Sequence, residues 1–149
     1  MTKPSVGILI LKDDTVLLVR HEAGSGYNDH VYGLPSGRLQ EDETEIQAAV
    51  RELEEETGLK TSIENLIEFP DNFYIAKLPN RKNPDEREIE YTWRVFLCNN
   101  HFGEIHPSTE TTPEWVKIQQ LDSYNLIVNV KNAIEGGLRF REHKEINKK

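Results

Sequence analysis

The sequence predicts an α/β fold: an α/β/α sandwich with a mixed β-sheet. Three observations carry this reading. Short β-rich runs recur along the chain, an amphipathic helix with signals at both ends lies in the first half, and a second helical run comes late. With 149 residues, 36% hydrophobic and 30% charged, the chain reads as one globular domain spanning 1–149, residues 139–149 forming a frayed charged tail.

Residues 6–11 and 16–19 are the first two strands, and Lys12-Asp13-Asp14-Thr15 between them reads as a hairpin turn. Arg20 and His21 follow, His21 reading as a surface histidine ahead of a phosphate contact. The polar, glycine-containing loop 23–30 offers Tyr27 and Asn28 to a ligand pocket. Beyond the first helix, residues 62–69 and 72–78 read as strands broken at Pro70-Asp71. Two prolines and many charges make 79–87 an exposed loop, suited to a substrate lid or a homodimer contact.

The clearest strand is 88–98, in which Ile89, Tyr91, Trp93, Val95 and Leu97 alternate onto one face. Arg94 lies on the other face, where a phosphate contact and a surface ion pair are equal readings. Residues 99–113 are turn-rich, and 114–118 form a last strand. Leu126, Ile127, Val130 and Ile134 step at helical spacing, with Gly136-Gly137 ending that helix.

Composition excludes several classes. A net charge of −8 argues against a nucleic-acid polymer as partner, yet admits a small phosphorylated substrate if a cation screens the acids. The lone cysteine, Cys98, forms no internal disulfide, reads as core packing and fits a reducing, cytoplasmic setting. The apolar run at 6–11 is too short for a secretory signal, and no stretch approaches membrane-spanning length.

The functional signal lies in residues 37–59, GRLQEDETEIQAAVRELEEETGL. Thr44 with Gln47 is a capping-box signature, and Gly58 sits where a left-handed C-terminal cap belongs. Between them Ile46, Ala49, Val50 and Leu53 share one apolar face at about 100° per residue. Glu52, Glu55 and Glu56 share the adjacent face, with Ala48 among them small enough to admit a ligand.

Acids crowded into the last turns of a helix oppose its dipole, and Glu52 repels Glu56 at i, i+4. A helix selected only for stability would carry Lys or Arg there, so this departure marks a site. Converging carboxylates suit a hard cation such as Mg²⁺.

This stretch resembles the Nudix box of the Nudix hydrolases, G-x5-E-x7-R-E-U-x-E-E-x-G-U, where U is a bulky aliphatic. Gly37, Glu43, Arg51, Glu52, Leu53, Glu55, Glu56, Gly58 and Leu59 fill every specified position. The lead-in Tyr32-Gly33-Leu34-Pro35-Ser36-Gly37 is similar to the family's W-x-L-P-G-G, with Tyr32 and Ser36 as departures.

The resemblance implies a MutT-like Nudix fold. It also implies Mg²⁺- or Mn²⁺-dependent hydrolysis of a nucleoside diphosphate linked to another moiety. The implied ligands are Glu52, Glu55, Glu56 and the Ser36 carbonyl, Ser36 keeping that role if its backbone tolerates the required φ. The general base is Glu55 or Glu110, with Glu114 the next choice, and Arg51 orients a box glutamate together with Glu43. The compact length favours a (deoxy)nucleoside triphosphate. Arg94, Tyr27 and Tyr74 are the residues set aside for substrate; Tyr74 stands near where ADP-ribose hydrolases carry a proline. The competing reading is a catalytically silent, nucleotide-binding regulatory module.

Overall fold

Residues 2–21, 30–78 and 88–147 are described by the computed structural model of this chain. Strand β1 spans Thr2–Leu9, β2 Leu11–Lys12 and β3 Thr15–His21. The hairpin forms as expected: Leu11 pairs Val16, Lys12 pairs Thr15, and Asp13 takes a left-handed φ of 55°. The expected strand 6–11 is nevertheless divided at Ile10, because β1 and β2 belong to different sheets.

Further strands are β4 (Val31–Gly33), β5 (Ser36–Arg38), β6 (Leu66–Ile67), β7 (Phe73–Leu78), β8 (Ile89–Cys98) and β9 (Thr111–Lys117). The first sheet runs β5-β1-β8-β6, with β7 also paired to β8. It is mixed: β1 and β8 are parallel, and the other pairs are antiparallel. In the second sheet β3 lies between β4 and β9, pairing antiparallel with both. The expected α/β fold with a mixed sheet is therefore present, and a second, antiparallel sheet accompanies it.

Two helices complete the molecule, α1 (Glu45–Thr57) and α2 (Val130–Asn147). Each covers its own core. Ala48, Ala49 and Leu53 of α1 pack with Val6, Ile8, Leu17, Phe96 and Cys98. Val130, Ala133 and Ile134 of α2 pack with Leu9, Val16, Leu18, Val95 and Leu97. Alternate residues of β1, β3 and β8 therefore face opposite cores, which is the period-2 geometry of a strand buried on both sides. Strand β8 accordingly buries both faces near its end rather than the one face expected.

Three expectations are corrected. Residues 62–69 are mostly a 3-10 turn, Ile63–Asn65, leaving only β6 as strand. Asn65 turns back on Ser62 through both its backbone N–H (3.0 Å) and its side-chain amide (3.1 Å), a local alternative to a ladder. Strand β9 starts at Thr111, earlier than the expected 114. Helix α2 runs through Gly136-Gly137 to Asn147 instead of stopping there and leaving a frayed tail. A Cβ on Gly137 would overlap the Leu9 side chain, and one on Gly136 would stand 3.2 Å from the Phe69 ring. These glycines let the helix approach its neighbours; they do not end it.

Candidate active site

Helix α1 begins and ends as its sequence dictates. Gln47 N–H donates to Thr44 Oγ1 at 3.2 Å, and Thr44 N–H donates to Gln47 Oε1 at 3.0 Å, closing the capping box. At the other end Gly58 takes φ +85° and donates its N–H to the Glu54 carbonyl at 2.9 Å. Ala49 and Leu53 are fully buried. Ala48 is buried as well and belongs to the core, so it admits no ligand, contrary to the sequence reading.

The acidic face opens onto a cleft of about 800 Å³, whose lining includes Glu52, Glu55, Glu56, Arg51 and Glu110. Two elements bring these together. Strand β5 runs beside α1, and its Ser36 N–H donates to Glu56 Oε1 at 2.5 Å. At the start of β9, Thr111 Oγ1 donates to the Glu56 backbone carbonyl at 3.2 Å, which brings Glu110 to the same cleft.

Arg51 ties the group together. Its guanidinium grips Glu43 in two places, Nε to Oε2 at 2.7 Å and Nη2 to Oε1 at 2.9 Å. Nη1 donates to Glu52 at 2.8 Å and to Glu55 at 3.0 Å, and Nη2 also reaches the Arg38 carbonyl at 2.9 Å. Bidentate pairing of this kind suits arginine and not lysine. Together with the Gln40 N–H, it holds the Glu43 carboxyl down at about 2.

The carboxyl groups facing the cleft move the other way. Burial raises Glu52 above its ordinary value, against the pull of Arg51. Burial pushes Glu56 up to about 8, outweighing the Ser36 N–H, and the charges of Glu52, Glu110 and Glu55 add to the rise. Glycine at position 37 makes room for this packing, since a Cβ there would overlap the Glu52 carboxyl. Ser36 avoids the left-handed region, so replacing the family's glycine strains nothing.

Among the described residues no three His, Cys, Asp or Glu side chains stand together as a group ready to hold a metal. Glu52 and Glu55 are turned toward Arg51 instead. The donors nonetheless fit a hard divalent cation. They are all oxygen, and the carboxylates raise one another's proton affinity, a repulsion that a cation relieves.

The cleft lining also includes an aromatic group. Tyr74 pairs Trp93 and Ala76 pairs Tyr91 across β7 and β8, and all four line the cleft. The Tyr74 and Trp93 rings lie 5.7 Å apart, tilted by 46°. Burial raises the Tyr74 phenol above its ordinary value.

Other residues singled out in the sequence fall elsewhere. Arg94 does not line the cleft; it lies 3.6 Å from both Glu45 and Glu68, over the Phe73 ring at 4.5 Å. Its guanidinium is engaged there by ion pairs with both acids. Glu114 accepts from the Tyr124 hydroxyl at 3.3 Å and also stays out of the cleft. His21, read as a surface residue, is half-buried and lines it. Tyr27, Asn28 and the loop 79–87 lie outside the described residues.

Sequence reading missed Trp93, Tyr91 and Arg38 as lining residues. The alternation of Tyr91 and Trp93 was visible, but only the register with β7 tells a cleft wall from a core.

The comparisons with known proteins agree with this architecture. The chain is 35% identical over 99 residues to an RNA pyrophosphohydrolase of Psychromonas ingrahamii, covering 64% of this chain and 52% of that protein. It is 28% identical over 139 residues to an RNA pyrophosphohydrolase of Erwinia tasmaniensis, covering 82% of this chain and 75% of that one. The chain thus spans only about half the length of the first relative. Its fold superposes on a MutT NUDIX hydrolase from Burkholderia pseudomallei with a TM-score of 0.72 at 19% identity, covering 91% of this chain and 98% of that one. The NUDIX domain family matches residues 1–135, nearly the whole sequence, and this chain belongs to that family.

Proposed function

We propose that this chain hydrolyses a phosphoric anhydride bond in a nucleotide, with a (deoxy)nucleoside triphosphate as substrate and Mg²⁺ or Mn²⁺ as cofactor. The observation that carries the reading is that Glu52, Glu55, Glu56 and Glu110 all line one cleft of about 800 Å³. Glu52, Glu55, Glu56 and the Ser36 carbonyl are the groups to hold the cation. When bound, it neutralises phosphate oxygens and acidifies water.

The chain's own groups do the rest. Glu110 or Glu55 takes the proton of the attacking water. That water's oxygen forms a bond to phosphorus as the bridging P–O bond breaks, and two phosphorylated products leave. Arg51 sets the angles of Glu52 and Glu55 through its two Nη1 hydrogen bonds. An acidic cleft repels polyanions unless the cation is present, which makes turnover strictly metal-dependent.

A second reading takes the 5′-triphosphate end of an RNA as substrate. The names of the curated relatives favour it; the net charge of −8 disfavours a long polyanion.

The test is a panel of nucleoside triphosphates, dinucleoside polyphosphates, ADP-ribose and a triphosphorylated RNA oligonucleotide, with products identified by mass. Turnover with Mg²⁺ or Mn²⁺ that stops in EDTA is expected. Undiminished turnover in excess chelator would overturn the metal mechanism. Nucleotide binding without turnover on any member would favour the silent regulatory module. Preference for the RNA end over free triphosphates would select the second reading.

A further inference from the structure

Trp93 is held in place from two sides. Its indole lies against the backbone of β1 at Gly7, where a Cβ would stand 2.7 Å from Nε1 and 2.8 Å from Cε2 and Cζ2. Its Nε1–H donates to Ser36 Oγ at 3.2 Å, and that hydroxyl in turn donates to the Leu34 carbonyl at 2.9 Å. A ring fixed this way presents a face without having to be ordered when a ligand arrives, which lowers the entropic cost of binding. Beside it, Ala76 opposite Tyr91 leaves the strand pair open between aromatic side chains.

Ser36 joins this ring to the acids. Its hydroxyl holds Trp93, while its own backbone N–H holds Glu56. One residue therefore contacts both an aromatic and an acidic group of the cleft lining.

We infer that Trp93, flanked by Tyr74 and Tyr91, is the stacking platform for the substrate's nucleobase, and that the Ser36 hydroxyl is a positioning residue that locks it. This rests on the nucleotide reading above and adds where the base sits and how it is read. Stacking uses the π-face that every base has, so the platform accepts purines and pyrimidines with modest preference. The hydroxyl explains why serine serves at position 36, where it carries a contact that glycine lacks.

The experiment is calorimetric binding of α,β-methylene-ATP and, separately, inorganic tripolyphosphate, both with Mg²⁺. It compares wild type, Trp93→Ala, Ser36→Gly and the double variant, each checked for folding by circular dichroism. Trp93→Ala is expected to weaken the nucleotide analogue by roughly 5- to 160-fold, the span for loss of one stacking partner. Affinity for tripolyphosphate should stay at the wild-type value. Ser36→Gly should weaken the analogue in the wild-type background and have no further effect once Trp93 is gone, the non-additivity expected of residues that act through one another. A misfolded Trp93→Ala would be replaced by Trp93→Leu, with the same expectation.

Equal weakening of both probes, or unchanged analogue binding, would overturn the platform. So would a wild type that binds tripolyphosphate but not the analogue. An additive double variant would overturn the role of Ser36. Turnover assays separate the two readings. Hydrolysis with Trp93-independent binding overturns only the platform, and Trp93-dependent binding without hydrolysis overturns only the reaction.

Discussion

The Glu52 carboxyl group occupies the space that a side chain on Gly37 would need. Helix α1 and strand β5 approach this closely because one of them carries no Cβ at the crossing. Gly37→Ala should therefore push Glu52 out of place. The clashing atoms are the far end of a flexible side chain, so the stability cost should be small. Turnover should fall further than stability alone explains, since misplacing a catalytic group by about 1 Å can cost ~10²-fold. Thermal melts beside initial rates check this; an alanine variant with normal rates would mean that Glu52 has other room.

Stability should depend on pH through Glu56. Its folded pKa of about 8 lies above the ordinary 4.5. The fold thus favours the protonated carboxyl, and that stabilisation is fully present below pH 4.5 and lost as pH rises through about 8. Without cation, the melting temperature should decline across this interval, and Glu56→Gln should flatten the decline. Glu43 has the opposite sign: its stabilisation is present above pH 4.5 and lost as pH falls toward about 2. Melts of both proteins in EDTA across this range decide the matter; an unchanged slope in Glu56→Gln would assign the decline to another group.

Glu110 lines the cleft, whereas Glu114 is engaged by Tyr124 outside it. Glu110→Gln should lower kcat by ~10²-fold or more if it takes the water's proton. Glu114→Gln should leave kcat nearly unchanged. The pair of rate measurements with saturating Mg²⁺ is the check, and equal losses would place the base within α1.

Glu55 should separate function from stability. Its side chain is 55% exposed, so the i, i+4 pair with Arg51 contributes only ~0.3–0.5 kcal/mol. That gain roughly offsets a dipole penalty of ~0.3–1 kcal/mol for an acid in the last turns. Glu55→Gln should then melt near wild type in EDTA, gain less on adding Mg²⁺ and lose nearly all turnover. Normal turnover would mean that the acids form only a solvated face.

Much of α1 was legible because its signals are local. A capping box, a left-handed glycine and an apolar stripe all lie within a few residues of what they specify. The β2–β3 hairpin was legible for the same reason. Residues 62–69 were not, because whether Ser62 and Asn65 close a turn or pair with β8 depends on the neighbouring strand. Gly136-Gly137 misled for a physical reason: glycine ends helices and also admits close neighbours, and only Leu9 across the gap tells which. In the site, the acids were readable as a helix face. The aromatic lining was not, since it depends on the register that sets Tyr74 against Trp93.

Strands β1, β3 and β8 send alternate side chains to the cores beneath α1 and beneath α2. Neither helix can leave without exposing strands that the other also needs. The two layers should consequently melt as one cooperative unit, with far- and near-ultraviolet circular dichroism tracing the same curve. The mutually repelling acids on α1 are then restrained by the unfolding free energy of the entire assembly, far more than a lone helix of that length could muster.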